Sequence, residues 1–109
     1  MGQTVRRGEV RWYRFSEPDK KRPVLVLTRD SALAFLGEAT VAPITRTIRE
    51  IPTEVVLTPD DGVEVACAVN LDHLQTVPKA RLGKTIAVLS AGRMLEVQDA
   101  LLFALGFEP

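Results

Sequence analysis

An excess of charge of one sign is missing from this chain, and so are cysteine pairs, long hydrophobic runs and a rich supply of aromatics. Fourteen Lys/Arg balance fourteen Asp/Glu, so net charge alone exerts no pull toward a polyanion. The one cysteine, Cys67, lies in Val-Ala-Cys-Ala-Val. It cannot form an internal disulfide and fits best as a small buried hydrophobe. No apolar run approaches the ~20 residues that span a bilayer. The amino terminus, Met1 to Glu9, is polar and basic with no hydrophobic segment behind it, so a cytoplasmic protein without a membrane partner is the expectation. There is no phosphate loop, zinc-ligand spacing or nucleotide fingerprint, and hence no implied cofactor or metal. Internal repeats and low-complexity segments are also lacking.

What is present is a chain of 109 residues, 46% of them hydrophobic. That suits a single folded domain over residues 1–109. Charge is unevenly spread. Residues 1–49 hold 10 Lys/Arg against 5 Asp/Glu, and residues 50–109 hold 4 against 9, so the halves carry +5 and −5. Such asymmetry permits a basic face on a neutral protein.

The most informative stretch is Lys20 to Leu27, where three cations run through Pro23 into an unbroken aliphatic strand. Val24 to Leu27 shows no polar alternation, which suits a strand covered on both faces. Pro23 keeps Arg22 extended, fixing a guanidinium where a basic loop meets rigid core, a useful place for a phosphate-handling arginine. Taken alone, the stretch reads more simply as a solvated basic loop before a strand.

In chain order, Gly8 to Phe15 is a first strand, Val24 to Thr28 a second, and Ser31 to Leu36 a short helical turn. Glu38 to Thr45 is a third strand with Pro43 inside it, which predicts an edge position or a bulge. A fourth strand covers Thr53 to Thr58, and Pro59-Asp60-Asp61-Gly62 is a turn. Glu64 to Asn70 is a fifth strand, Asp72 to Thr76 a crossing segment, and Leu82 to Leu89 a last strand. Ser90 caps a helix over Ala91 to Leu105, with Met94, Val97, Leu101 and Leu105 on its packed face and Arg93, Glu96 and Asp99 outward. Gly106 ends it. Five or six short strands and one terminal helix describe a small curled sheet or barrel.

The order of motifs resembles the MazF/PemK family of toxin–antitoxin ribonucleases over nearly the whole chain. The matching pieces are Arg7-Gly8-Glu9-Val10 with Trp12, Arg22-Pro23-Val24-Leu25-Val26-Leu27, Val41-Ala42-Pro43-Ile44-Thr45, Asn70-Leu71-Asp72 through Gln75-Thr76-Val77, and Arg81-Leu82-Gly83. The resemblance implies a mainly β, SH3-like small barrel of the CcdB/PemK type with a carboxy-terminal helix, usually a homodimer. It implies metal-independent cleavage of single-stranded RNA by attack of the ribose 2′-hydroxyl, leaving a 2′,3′-cyclic phosphate and a 5′-hydroxyl. The family's usual catalytic pair falls on Arg22 and Thr45.

Such a reaction needs charge stabilisation on the phosphorane, an acceptor for the 2′-hydroxyl proton and a donor for the leaving oxygen. Arg22 can supply the first through its fork, and Thr45 can donate to a non-bridging oxygen. A guanidinium is a poor proton acceptor, so the base stays unassigned among Glu17, Asp72 and His73. Glu17 belongs to a Ser-Glu of the first loop, Asp72 matches an acidic position of some relatives, and His73 is the sole histidine. Glu17 and Asp72 join Arg22 and Thr45 as catalytic candidates. Lys20, Lys21, Arg46, Trp12 and His73 are RNA-binding candidates, the lysines as backbone-phosphate contacts and Trp12 as a stacking surface or, more simply, a core anchor.

The first loop, Phe15 to Arg22, is shorter than in relatives and lacks their glycines, which would open the groove to a structured substrate such as a tRNA loop. The antitoxin partner implied by the family presents an acidic, disordered carboxy-terminal tail to the basic groove. Two rival readings come from other classes. One is a toxin of the related fold that binds DNA gyrase through its carboxy-terminal helix, and the other is a non-catalytic RNA-binding module.

Overall fold

The computed structural model describes residues 4–15 and 21–107. Its strands are β1 (Glu9–Arg14), β2 (Lys21–Val26), β3 (Glu38–Thr45), β4 (Glu54–Leu57), β5 (Cys67–Asn70), β6 (Gln75–Pro78) and β7 (Thr85–Val88), with helices α1 (Asp30–Leu33) and α2 (Ala91–Leu105). The sheet runs β4-β5-β3-β2-β1-β7, and β6 also pairs with β3. All the pairings are antiparallel. This is the mainly β, curled half-barrel with a carboxy-terminal helix that the sequence led us to expect.

The aliphatic run of β2 explains the layering. Val24, Leu25 and Val26 have no exposed surface. Successive side chains of a strand point to opposite faces, so Leu25 enters one core with Val10, Leu57, Val69 and Val97, while Val24 and Val26 enter a second with Tyr13, Leu33, Val41 and Val77. Two cores on opposite faces require a strand without polar alternation, and each such burial contributes about 1.5–3 kcal/mol.

Pro23 and Pro43 are both accommodated within their strands, though one of them not as the sequence suggests. The β2 strand starts at Lys21 rather than Val24, so Arg22 and Pro23 are strand residues and not the end of a loop. Pro23 stands opposite Trp12, whose N–H donates to the Lys84 carbonyl and whose carbonyl accepts from Gly83 N–H. Trp12 therefore spends its backbone groups on the other side, and the ladder asks no donor of Pro23. Pro43 lies within a central strand, contrary to the expected edge or bulge. On its far side β3 pairs with β6 up to Val41↔Gln75 and with β5 from Ile44↔Val69. Pro43 occupies the handover between the two partners, where its missing N–H costs no registered bond.

The segment expected to cross between strands holds β6 instead. Strands five and seven are shorter than expected at their starts, beginning at Cys67 and Thr85. Helix α2 matches its predicted bounds, with Ser90 Oγ accepting from Arg93 N–H at 3.1 Å and Gly106 in the left-handed region at φ 82°. Val97 and Ala100 are buried in it, and Met94, Leu101 and Ala104 pack on the first core. Leu105, expected on the packed face, is exposed. Among the described residues no helix is long and apolar enough to cross a membrane.

Candidate active site

Arg22 and Thr45 come together at one end of the sheet. Val24↔Pro43 is the last pair of the β2–β3 register, and Arg22 and Thr45 lie two residues beyond it on these neighbouring strands. Both side chains line two cavities, of about 470 and 500 Å³, so the pair forms the ridge between them. The Thr45 hydroxyl oxygen accepts from Thr47 N–H at 3.1 Å. That bond occupies an oxygen lone pair and leaves the hydroxyl proton free to donate.

The first cavity mixes cations with apolar wall. Lys21, Arg22 and Arg46 reach it, with the Glu64 carboxylate and Thr47, beside Trp12, Pro23, Ile44, Val63, Val65 and Ile86. Lys21 Nζ sits 5.3 Å from the centre of the Trp12 ring, a cation–π pair at a site where an indole face and an ammonium are both open to a ligand. Trp12 is held from behind. A Cβ on Gly83 would lie 3.2 Å from the Trp12 carbonyl oxygen and 3.3 Å from its Cβ, so a larger residue would crowd the close bonding of residues 83–84 to it. Next to it Arg11 is 2% exposed, donating from Nε to the Gly83 carbonyl and from Nη1 to Glu9, each at 2.7 Å. The β1–β7 register slips between Val10 and Arg11 at this point. The bulge turns Arg11 inward onto these partners.

The floor and far wall depend on the turn after β4. Thr58 and Asp61 form a reciprocal capping box around Pro59–Asp61. Asp61 also takes Arg93 Nε at 2.9 Å and Nη2 at 3.1 Å, tying the turn to α2. The Arg93 guanidinium holds the Asp61 carboxyl below its ordinary range, against burial, and the Thr58 N–H and the Arg93 charge act in the same lowering direction. Cys67 is buried at the cavity floor. Burial pushes its thiol up, the Asp61 charge adds to this, and Arg46 opposes it, so the thiol stays protonated and inert.

The second cavity is more polar. It is lined by Phe15, Arg49, Asn70, His73 and Gln75 around the Arg22–Thr45 ridge, with Pro43 among its lining residues. Of the residues singled out from sequence, Arg22, Thr45, Lys21, Arg46 and Trp12 meet at the first cavity, and His73 joins Arg22 and Thr45 at the second. Asp72 lines neither; it sits exposed on the turn after β5, where its N–H bonds to Asn70 Oδ1 at 2.9 Å. Glu17 and Lys20 lie outside the described residues. Arg49, Asn70, Gln75 and Phe15 were not singled out. Asn70 and Gln75 do stand in the matched motif that runs from Asn70 to Val77, whereas only the fold brings Arg49 and Phe15 to the cavity.

The model of the PemK-like, MazF-like toxins of type II toxin–antitoxin systems matches residues 6–105. Endoribonuclease MazF3 of Mycobacterium tuberculosis is 40% identical over 83 residues, covering 76% of this chain and 81% of that protein. Among solved structures, the Mycobacterium tuberculosis toxin MazF-mt6 superposes with a TM-score of 0.85 at 33% identity, over 93% of this chain and 99% of that one. An endoribonuclease in complex with its cognate antitoxin, from a mycobacterial species, gives 0.83 at 28% identity over 96% and 98%.

Proposed function

The chain belongs to the PemK-like, MazF-like family of type II toxin–antitoxin toxins, and from that premise we propose that it is an endoribonuclease whose chemistry is carried by Arg22 and Thr45. Single-stranded RNA lies across the ridge, with the scissile phosphate at the pair and a neighbouring nucleotide in each cavity. The substrate supplies its own nucleophile, the ribose 2′-hydroxyl, which attacks in line to give a 2′,3′-cyclic phosphate and a 5′-hydroxyl. Arg22 donates two parallel hydrogen bonds to the phosphorane oxygens, and the Thr45 proton serves a third contact on a non-bridging oxygen. Neither needs a metal ion to act.

The observation that best supports this reading is the shared position of Arg22 and Thr45 on both cavities. A phosphate can be reached there by both groups while its two flanking nucleotides diverge. Lys21 and Arg46 strengthen attraction to the backbone without selecting a sequence, and Trp12 offers an indole face for a base. The same cations suit the acidic tail of a cognate antitoxin, which would silence the toxin by covering the groove. A homodimer would cover apolar side chains left open on and near α2 and α1, among them Phe35, Leu36, Phe103 and Leu105.

The test is incubation of labelled RNA with purified protein in EDTA, with end-group analysis of the products. Cuts bearing a cyclic phosphate and a 5′-hydroxyl are expected. Binding without cuts would favour the non-catalytic module, and gyrase-dependent DNA damage without RNA cuts would favour the gyrase poison.

A further inference from the structure

We propose that Glu54 is a positioning residue for RNA cleavage: its buried carboxylate holds Arg49 as a second fixed guanidinium, which grips a backbone phosphate adjacent to the scissile one. This role rests on the endoribonuclease reading and adds two residues to it, one touching RNA and one acting only through the other.

Glu54 opens β4, opposite Asn70 of β5. Its side chain has no exposed surface, whereas that of Arg49 is 55% exposed. The two carboxylate oxygens divide the arginine between them. Oε1 accepts from the Arg49 backbone N–H at 3.0 Å, and Oε2 accepts from Arg49 Nη1 at 3.1 Å. Both ends of a long, flexible side chain are thereby fixed by one buried group. The connection between the two residues is constrained as well. Glu54 N–H donates to the Ile51 carbonyl at 3.0 Å, and the chain passes through Glu50 at φ 55°, a left-handed conformation that a residue other than glycine keeps only when its surroundings impose it.

Stability alone does not call for this arrangement. Taking a carboxylate out of water is costly, and an apolar side chain of similar size in its place often serves a fold as well or better. An apolar residue cannot, however, aim a guanidinium. With Nη1 held by Glu54 and no other side-chain bond to Arg49 among the described residues, Nε and Nη2 remain as a pair of parallel donors, the fork that matches a phosphate.

The surroundings of Arg49 suit an anion. It lines the second cavity together with Arg22, Thr45 and His73, and among the described residues no carboxylate lines that cavity. The first cavity differs, since Glu64 stands there among the cations. At about 500 Å³ the second cavity is far wider than one phosphate, so the two guanidiniums serve successive phosphates of the strand. Arg22, on the ridge with Thr45, takes the scissile one.

The experiment measures RNA cleavage and urea unfolding for the whole protein and for Glu54→Gln, Arg49→Lys, Arg49→Ala and the double variant Glu54→Gln/Arg49→Ala. Glu54→Gln removes a negative charge beside the groove, so a carboxylate acting by charge alone would, once removed, tighten RNA binding. Positioning predicts the opposite sign, a KM about tenfold higher, the scale of one charge-assisted hydrogen bond, with the loss carried by KM rather than kcat. Arg49→Lys keeps the charge and a partner for Glu54, so its unfolding midpoint should hold while KM rises by a similar factor. That variant decides the matter should Glu54→Gln fail to fold. Arg49→Ala should lower the slope of log KM against log salt by about 0.7, one phosphate contact on a single strand. The double variant should lose no more than Arg49→Ala does, because Glu54 acts through Arg49. Tighter or unchanged RNA binding in Glu54→Gln, a wild-type KM in Arg49→Lys, or multiplied losses in the double variant would overturn the positioning role while leaving the nuclease intact. An oligodeoxynucleotide, which lacks the 2′-hydroxyl and cannot be cut by this route, separates the two readings. Should the wild type cut no RNA, the nuclease reading fails and oligomer binding decides alone: weaker binding by Glu54→Gln and Arg49→Lys would support the anchored phosphate contact, and equal or absent binding would refute it.

Discussion

Replacing Asp61 with asparagine tests how the wall of the first cavity is held. Asp61 receives three hydrogen bonds, two from the Arg93 guanidinium and one from Thr58 N–H at 2.9 Å. Asparagine retains one acceptor, but its NH₂ must face either a guanidinium or a backbone donor. Hydrogen bonds to charged groups contribute roughly 1.5–3 kcal/mol. Side-chain exposure is 11% at Asp61 and 27% at Arg93, enough solvent at the arginine to favour the lower half of that range. A loss of about 2 kcal/mol follows, near 8 °C in Tm for a domain of this size at about 4 °C per kcal/mol. The pH dependence has a definite sign. Arg93 depresses the folded pKa of Asp61 below the ordinary value of 3.8, so the stabilisation is complete above about pH 4 and disappears as pH falls through the folded value. Urea unfolding at about pH 7 and about pH 3, followed by circular dichroism, should show a gap between wild type and Asp61→Asn that narrows in acid. A gap of equal size at both pH values would refute the ion pair as its source. A double-mutant cycle with Arg93→Ala should be strongly non-additive, and additivity would refute the same argument independently.

Other outcomes follow from the same geometry. Arg22→Ala should lower RNA cleavage by about 3 kcal/mol or more of transition-state stabilisation, over a hundredfold, with an unchanged unfolding midpoint because the side chain is exposed; cleavage at the normal rate would remove Arg22 from the chemistry. Thr45→Ala should act in the same direction, and Thr45→Ser should recover much of the activity by restoring the donor; equal loss in both would point to a packing role instead. Leu25→Ala, at a position with no exposed surface, should cost about 2–5 kcal/mol, read as a shift in urea midpoint. Gly83→Ala should push Trp12 off its seat, since the new Cβ would meet the Trp12 carbonyl oxygen at 3.2 Å; an unchanged tryptophan emission spectrum would show that the neighbouring backbone yields instead.

The sequence made the scaffold legible wherever a local rule and the tertiary environment agree. Ser90 and Gly106 bound α2 because their caps are satisfied within a few residues. The Pro59–Gly62 turn is closed by its own Thr58 and Asp61. Arg22 and Thr45 were identified from motif order, and neighbouring strands in register bring them together. Strand β6 escaped notice because Val77 is its only buried residue, too little alternation to separate a strand from a crossing segment. The second cavity escaped notice for a different reason. Its donors come from the β3–β4 connection, the end of β5 and the start of β6, and no spacing rule links them.

Pro43 connects these two failures. In sequence it marked an edge, since a central strand ordinarily needs every donor. In the fold it marks the place where β3 releases β6 and takes up β5. Two strands that leave one partner at neighbouring positions must diverge, and the chain joining β5 to β6 spans the gap with Asp72 and His73. Asn70 and Gln75 stand at its two ends. The divergence opens the second cavity, with Pro43 among its lining residues and Thr45, two positions on, at its rim. A hydrogen-bonding residue at position 43 would have carried an unpaired N–H at that handover. Proline removes the donor, and so allows the sheet to split beside the arginine and threonine without an N–H that the ladder leaves unpaired.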